Sequence, residues 1–250
     1  MSTETPKSTQ HVEQDKNSQI MTRFVEHEER LDHEDELMEP DYIKELVVNG
    51  KRIKEMSFRK IISEPNAIPE IDENPKYTEQ MRDCTGIVVV GVSLESGKNI
   101  SFMLHVNTGN IENFNENEIN EFIKSVGGFM DVFISKTLSG KVDAVIFGGQ
   151  VVRPWWKKGE KGEKELANSL NEYKNAIRIW NKILENKLGH SCLVIAGPKD
   201  DYGNMTVYFD TKNRRLYLKR ESSKNPVRNE SFLASDIDSQ GNKYNIKHKD

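Results

Sequence analysis

The chain has 250 residues, enough for one large domain or two small ones. Its 36 Lys and Arg against 40 Asp and Glu leave a net charge of −4, without the basic excess expected of a general nucleic-acid binder. Hydrophobic content is 35%, low for a chain globular from end to end, and two cysteines cannot make a disulfide framework. No apolar run approaches the ~20 residues that span a bilayer, so membrane insertion is not expected. The first 20 residues hold no apolar core of a secretory signal. A reducing cytoplasm is the expected compartment, with export by a non-classical route as the alternative.

In chain order, residues 1–40 carry eleven acids and four bases, a net of −7. A segment so polar buries too little apolar surface to offset its ordering entropy, and it reads as an acidic disordered arm. Over 41–75, Tyr42, Ile43, Leu46 and Val47 suggest a short helix, and Pro65, Pro69 and Pro75 then punctuate a linker. The run Gly86 to Val92 is β-branched and continuous, as in a strand buried on both faces. After a turn at Glu95–Lys98, Ile100 to His105 reads as a second strand. Asn115 is placed to cap a helix carrying Ile119, Phe122, Ile123 and Val126 on one face. Val142 to Phe147 is a third strand, closed by Gly148 and Gly149.

A long helix follows, with Leu166, Leu170, Tyr173, Ile177, Trp180 and Leu184 spaced by three and four and Gly189 ending it. Cys192 to Ala196, Met205 to Phe209 and Arg215 to Lys219 are further strands, the last two joined by a hairpin. Residues 221–250 read as a polar tail. The order β-β-α-β-α-β-β-β predicts a mixed α/β domain over 76–220, not a doubly wound fold.

Familiar chemistry is absent: no GxGxxG follows a strand, and there is no Walker lysine and no HExxH. His27 and His33 are spaced by six and do not share a helical face. Asp236, Asp238 and Gly241 lack the ligand pattern of a calcium loop. No metal and no cofactor is expected. Cys84 stands at the mouth of the first buried strand instead of inside it, and His105 closes the next. In an antiparallel hairpin these two ends lie side by side, which brings a thiol next to an imidazole able to take its proton. A buried free cysteine beside an ordinary strand-end histidine is the plainer alternative. Cys192, inside Ser191–Ile195, reads as core, and His190 as a partner of the preceding helix end. Trp155 and Trp156, in a mixed-charge loop, read either as an anchor or as a docking edge for a protein substrate.

From Tyr77 to Arg220 the chain resembles the chemoreceptor glutamine deamidase family (CheD) and, more distantly, the catalytic domains of the cytotoxic necrotizing factor toxins. The resemblance rests on Asp83-Cys84-Thr85-Gly86, on Phe102-Met103-Leu104-His105, on Val145-Ile146-Phe147-Gly148-Gly149-Gln150 and on the hairpin Phe209 to Arg220, in the family's order. It implies a layered β-sandwich with two main helices and a triad of Cys84, His105 and Thr78, the last being six positions before the cysteine. Arg82-Asp83 replaces the Gly-Ser that usually precedes the family's cysteine. The implied activity is deamidation of a protein glutamine to glutamate, on a chemoreceptor or, for an effector, a host protein. Transglutamination, a catalytically silent interaction module and a cysteine protease are the rival expectations.

Overall fold

Every residue from Thr85 to Gly91 is buried, because the strand they form is covered on both faces. The computed structural model describes residues 47–64, 69–108, 111–149, 160–190, 192–196, 204–221 and 228–233. The elements are β1 (Lys51–Arg52), β2 (Met56–Ser57), α1 (Phe58–Ser63), β3 (Lys76–Met81), β4 (Thr85–Val92), β5 (Asn99–Asn107), a 3-10 turn at Ile111–Asn113, α2 (Glu116–Ser135), β6 (Asp143–Gly148), α3 (Glu160–Leu188), β7 (Leu193–Ala196), β8 (Asn204–Asp210), β9 (Arg215–Glu221) and β10 (Arg228–Leu233). They form two open mixed sheets, ordered β1-β3-β8-β9-β10 and β2-β5-β4-β6-β7. All lie within the compact unit Asp35–Asp250. The fold is mixed α+β, as expected.

Alternation along β5 separates the layers. Phe102 meets Phe133 of α2 edge to face at 5.2 Å. Ser101 and His105 point the other way, onto β3 and the Thr211 turn of the first sheet. The second sheet is therefore the middle layer, between the first sheet and the pair α2 and α3. Asn115 and Glu118 cap α2 reciprocally, and its Phe122, Val126, Phe129, Met130 and Phe133 are buried. On α3, Tyr173, Ile177, Trp180 and Leu184 are buried, with Trp180 edge to face on Phe122 at 5.5 Å. Gly189, at φ +78°, donates its N–H to Glu185 O and ends the helix as expected. Among the described residues no helix is long and apolar enough to cross a membrane.

The folded region is wider than 76–220. Instead of a linker, residues 51–63 supply β1, β2 and α1, and β1 pairs in parallel with β3 while β2 pairs in parallel with β5. Instead of a tail, residues 228–233 add a strand to β9. The sequence pattern does not announce β3 either: its inward row begins with a lysine, which erases the alternation that marks a half-buried strand. The acidic arm over 1–40 lies outside the described residues.

Candidate active site

The lead-in to β4 is held from three sides. Trp180 Nε1 donates to Thr85 Oγ1 at 2.7 Å, Thr85 Oγ1 to Thr108 Oγ1 at 3.3 Å, and Thr108 Oγ1 to Asp83 O at 3.2 Å. One relay thus ties down the residues on either side of Cys84. The carbonyl of Cys84 itself accepts from Gly149 N at 2.7 Å. This gives Phe147-Gly148-Gly149 a physical role. Gly148 sits at φ +89°, and a Cβ there would come within 2.5 Å of Cys84 O and 2.7 Å of Met81 Cε. Gly149, at φ +79°, would drive a Cβ into the ring of Tyr173. Gly148→Ala should therefore cost about 2 kcal/mol or more in a urea unfolding titration, from the backbone strain and the crowding together. An unchanged midpoint would mean that the glycine pair does not set the approach to Cys84.

β4 and β5 are antiparallel in the register Gly86↔His105, so both positions face the first sheet. Cys84, two residues before Gly86, lies on the same face, diagonal to His105. The parallel register Met56↔Val106 continues one step back to set Glu55 beside His105 from the other flank. A carboxylate oxygen of Glu55, Cys84 Sγ and a ring nitrogen of His105 all lie within 4.8 Å of one another. Thr78 closes the arrangement from above. Its Oγ1 donates to Ile53 O at 2.9 Å, spending its only proton, so toward His105 it accepts. His105 Nδ1–H is the donor, at 2.7 Å. The ring is thereby fixed as the Nδ1–H tautomer, and its lone pair is on Nε2. That atom is buried and has no hydrogen-bond partner among the described residues.

The three residues singled out from sequence therefore converge, across two sheets. Cys84 is 5% exposed and His105 2% exposed, so the sulfur at the strand mouth is closed over. Burial, with Glu55 and Asp83 nearby and a hydrogen bond to Glu55, pushes the Cys84 thiol up to about 12. Burial pulls His105 down to about 4, opposed by Glu55. At neutral pH the site holds a thiol and a neutral imidazole, with the Glu55 side chain on the exposed side. The carboxylate is braced by Asn107 Nδ2, which donates to Glu55 Oε1 at 2.9 Å.

Glu55 is the site residue that sequence reasoning missed. It stands in the polar run Lys51-Arg52-Ile53-Lys54-Glu55, where only a parallel edge strand of two residues gives it an address. Trp155 and Trp156 lie outside the described residues. Cys192 is buried, in keeping with a core role, and burial raises its thiol to about 12. His190 is exposed beyond the end of α3. No protein-family model matches the chain, and no curated protein matches it.

Proposed function

We propose that the protein is a cysteine amidohydrolase that converts protein glutamine to glutamate, with Cys84 as nucleophile, His105 as proton carrier and Thr78 as the residue that orients the imidazole. The observation that supports this most is the Thr78 to His105 hydrogen bond. By accepting from Nδ1–H, Thr78 turns the free lone pair of Nε2 into the site's proton acceptor. A strand-end histidine without a chemical role has no need of a buried, unpartnered nitrogen beside a thiol.

The steps follow from these positions. Sγ attacks the carbon of the glutamine side-chain amide while its proton passes to Nε2, and a tetrahedral oxyanion forms. The C–N bond breaks as Nε2–H returns the proton to nitrogen, which leaves as ammonia and a thioester on Cys84. Water then adds to the thioester with Nε2 taking its proton, and the C–S bond breaks as Nε2–H returns that proton to sulfur, giving the free thiol and a glutamic acid that sheds its own proton to solvent. Throughout, Nδ1–H stays with Thr78. Because the sulfur is nearly closed over and Glu55 is the exposed wall, the substrate amide reaches Sγ by displacing the Glu55 carboxylate. Asn107 and the short strand β2 hold that wall in place.

The test works on an unidentified substrate. Purified protein is added to a bacterial lysate and to a eukaryotic lysate. Conversion of glutamine to glutamate, a gain of about 1 Da at a small set of peptides, is read by mass spectrometry together with released ammonia. Conversion confined to a few sites is the expected result. Incorporation of an added amine instead of water would reassign the reaction as transglutamination, and the absence of both would leave the interaction module as the better account.

A further inference from the structure

We propose that Glu55, Cys84 and His105 form a binding site for a divalent ion of the zinc class, held by the thiolate sulfur, His105 Nε2 and one carboxylate oxygen of Glu55. Nothing in the sequence spacing announces it, because the three donors come from the lead-ins of two strands and the end of a third, spread over 50 residues. The fold gathers them on one face of the middle sheet, with the sulfur, a carboxylate oxygen and one ring nitrogen of His105 within 4.8 Å of one another.

Two features separate this set from a chance cluster. The first is the buried Nε2, a lone pair with no hydrogen-bond partner among the described residues, on a ring that has one nitrogen within 4.8 Å of a sulfur and a carboxylate oxygen. The second is that the outer partners of a metal site are already in place. A ligating imidazole holds its tautomer by donating the other ring N–H to an oxygen, and here Nδ1–H donates to Thr78, itself anchored on Ile53 O. A ligating carboxylate is steadied by a second hydrogen bond, and Asn107 supplies it.

Sulfur and nitrogen donors select zinc-class ions over calcium and magnesium, which take oxygen. Three protein donors leave a fourth tetrahedral position, on the exposed Glu55 side, for water. On binding, the S–H bond breaks, its proton leaves to solvent, and a metal–sulfur bond forms. An occupied site has no free nucleophile, so the ion would switch off any chemistry at Cys84. The inference stands apart from the deamidase reading, since binding needs the three donors and no substrate.

Cobalt(II) reports the site directly. The full chain, stripped with a chelator, is titrated with Co2+ and followed by absorption. The expected result is a sulfur-to-cobalt charge-transfer band that saturates at one equivalent and is bleached by Zn2+. Cys84→Ala should lose the band. Glu55→Gln and His105→Gln should weaken binding at least about tenfold, and Thr78→Val, which removes only the outer partner, about 10–100-fold. Circular dichroism of each variant checks that it is folded. No band in the wild type overturns the proposal, as does a band that survives Cys84→Ala, which would assign it to Cys192. A band that is indifferent to Glu55→Gln and His105→Gln overturns it too. Ammonia release is scored on the stripped, metal-free chain: a chain that binds cobalt when titrated yet converts no glutamine without the ion keeps this site and loses the deamidase.

Discussion

Cys84→Ala should lower glutamine conversion by about 10⁴- to 10⁶-fold. The chain should stay folded, since the change removes one sulfur from a position already fixed through its backbone. Asp83 O, Cys84 O and Thr85 Oγ1 keep their partners in Thr108, Gly149 and Trp180. His105→Gln should fall about as far, because the sulfur then has no proton acceptor and the departing ammonia no donor. Thr78→Val keeps thiol and imidazole and removes the group that orients them, so its loss should be smaller, about 10²- to 10⁴-fold. The three losses should not add. A double Cys84→Ala, His105→Gln variant should be no slower than either single one, because the residues act on one proton. Rates of glutamine conversion on one responsive peptide, measured for all four variants, decide the matter. Additive losses would mean that the two side chains do not work as a pair, and undiminished conversion in Cys84→Ala would remove the nucleophile from its role.

The parts of this site that are legible in the sequence are those carried by long regular elements. β4 announces itself as a β-branched run, and its hairpin with β5 needs only one turn, so the approach of Cys84 to His105 follows from antiparallel pairing. The capping box of α2 and the glycine after α3 act within one turn of chain and are equally visible. What stays hidden is what depends on long-range pairing of very short pieces. β1 and β2 have two residues each and no apolar pattern of their own, so Ile53 O and Glu55, set by them, give no signal. The inward face of β3 carries Lys76 and Thr78 and looks like a surface segment until the first sheet closes over it. Burial of the thiol escapes the sequence for the same reason. Position at a strand mouth suggests an opening, but the mouth is covered by the Thr78 strand above and by Glu55 at the flank.

The largest loss of stability should come from Lys76→Ala. The Lys76 side chain is fully buried between the sheets and ends in four acceptors: Asp72 Oδ1 at 3.0 Å, Ser101 Oγ at 3.0 Å, Asn74 O at 3.0 Å and Asp72 O at 3.4 Å. Ser101 Oγ also shares a hydrogen bond with Thr211, whose hydroxyl donates to Asn74 O. Truncation removes one donor from each of these oxygens, although Asn74 O keeps Thr211, Asp72 O keeps Ser101 N–H and Asp72 Oδ1 keeps Asn74 N–H, and it deprives Asp72 of one of its two cations, Lys51 being the other. Breaking a buried pair from one side costs about 3–5 kcal/mol. Urea unfolding should show that loss, and a change under about 1 kcal/mol would mean that the polar cluster contributes nothing net. The pH dependence has a definite sign. Burial raises the Asp72 carboxyl, but the hydrogen bonds from Lys51 and Lys76 more than reverse this and hold it below its ordinary value of 3.8. Its contribution is complete above that value and is lost as the pH falls through the lowered one. Burial lowers the Lys76 ammonium, so its own titration opposes folding while it is charged, and that cost is relieved only as the pH rises through the lowered value. Asp72→Asn should therefore flatten the acid limb of the stability curve. The same substitution should sharpen the gain in stability on the alkaline side, because Lys76 then loses the carboxylate that favours its charged form.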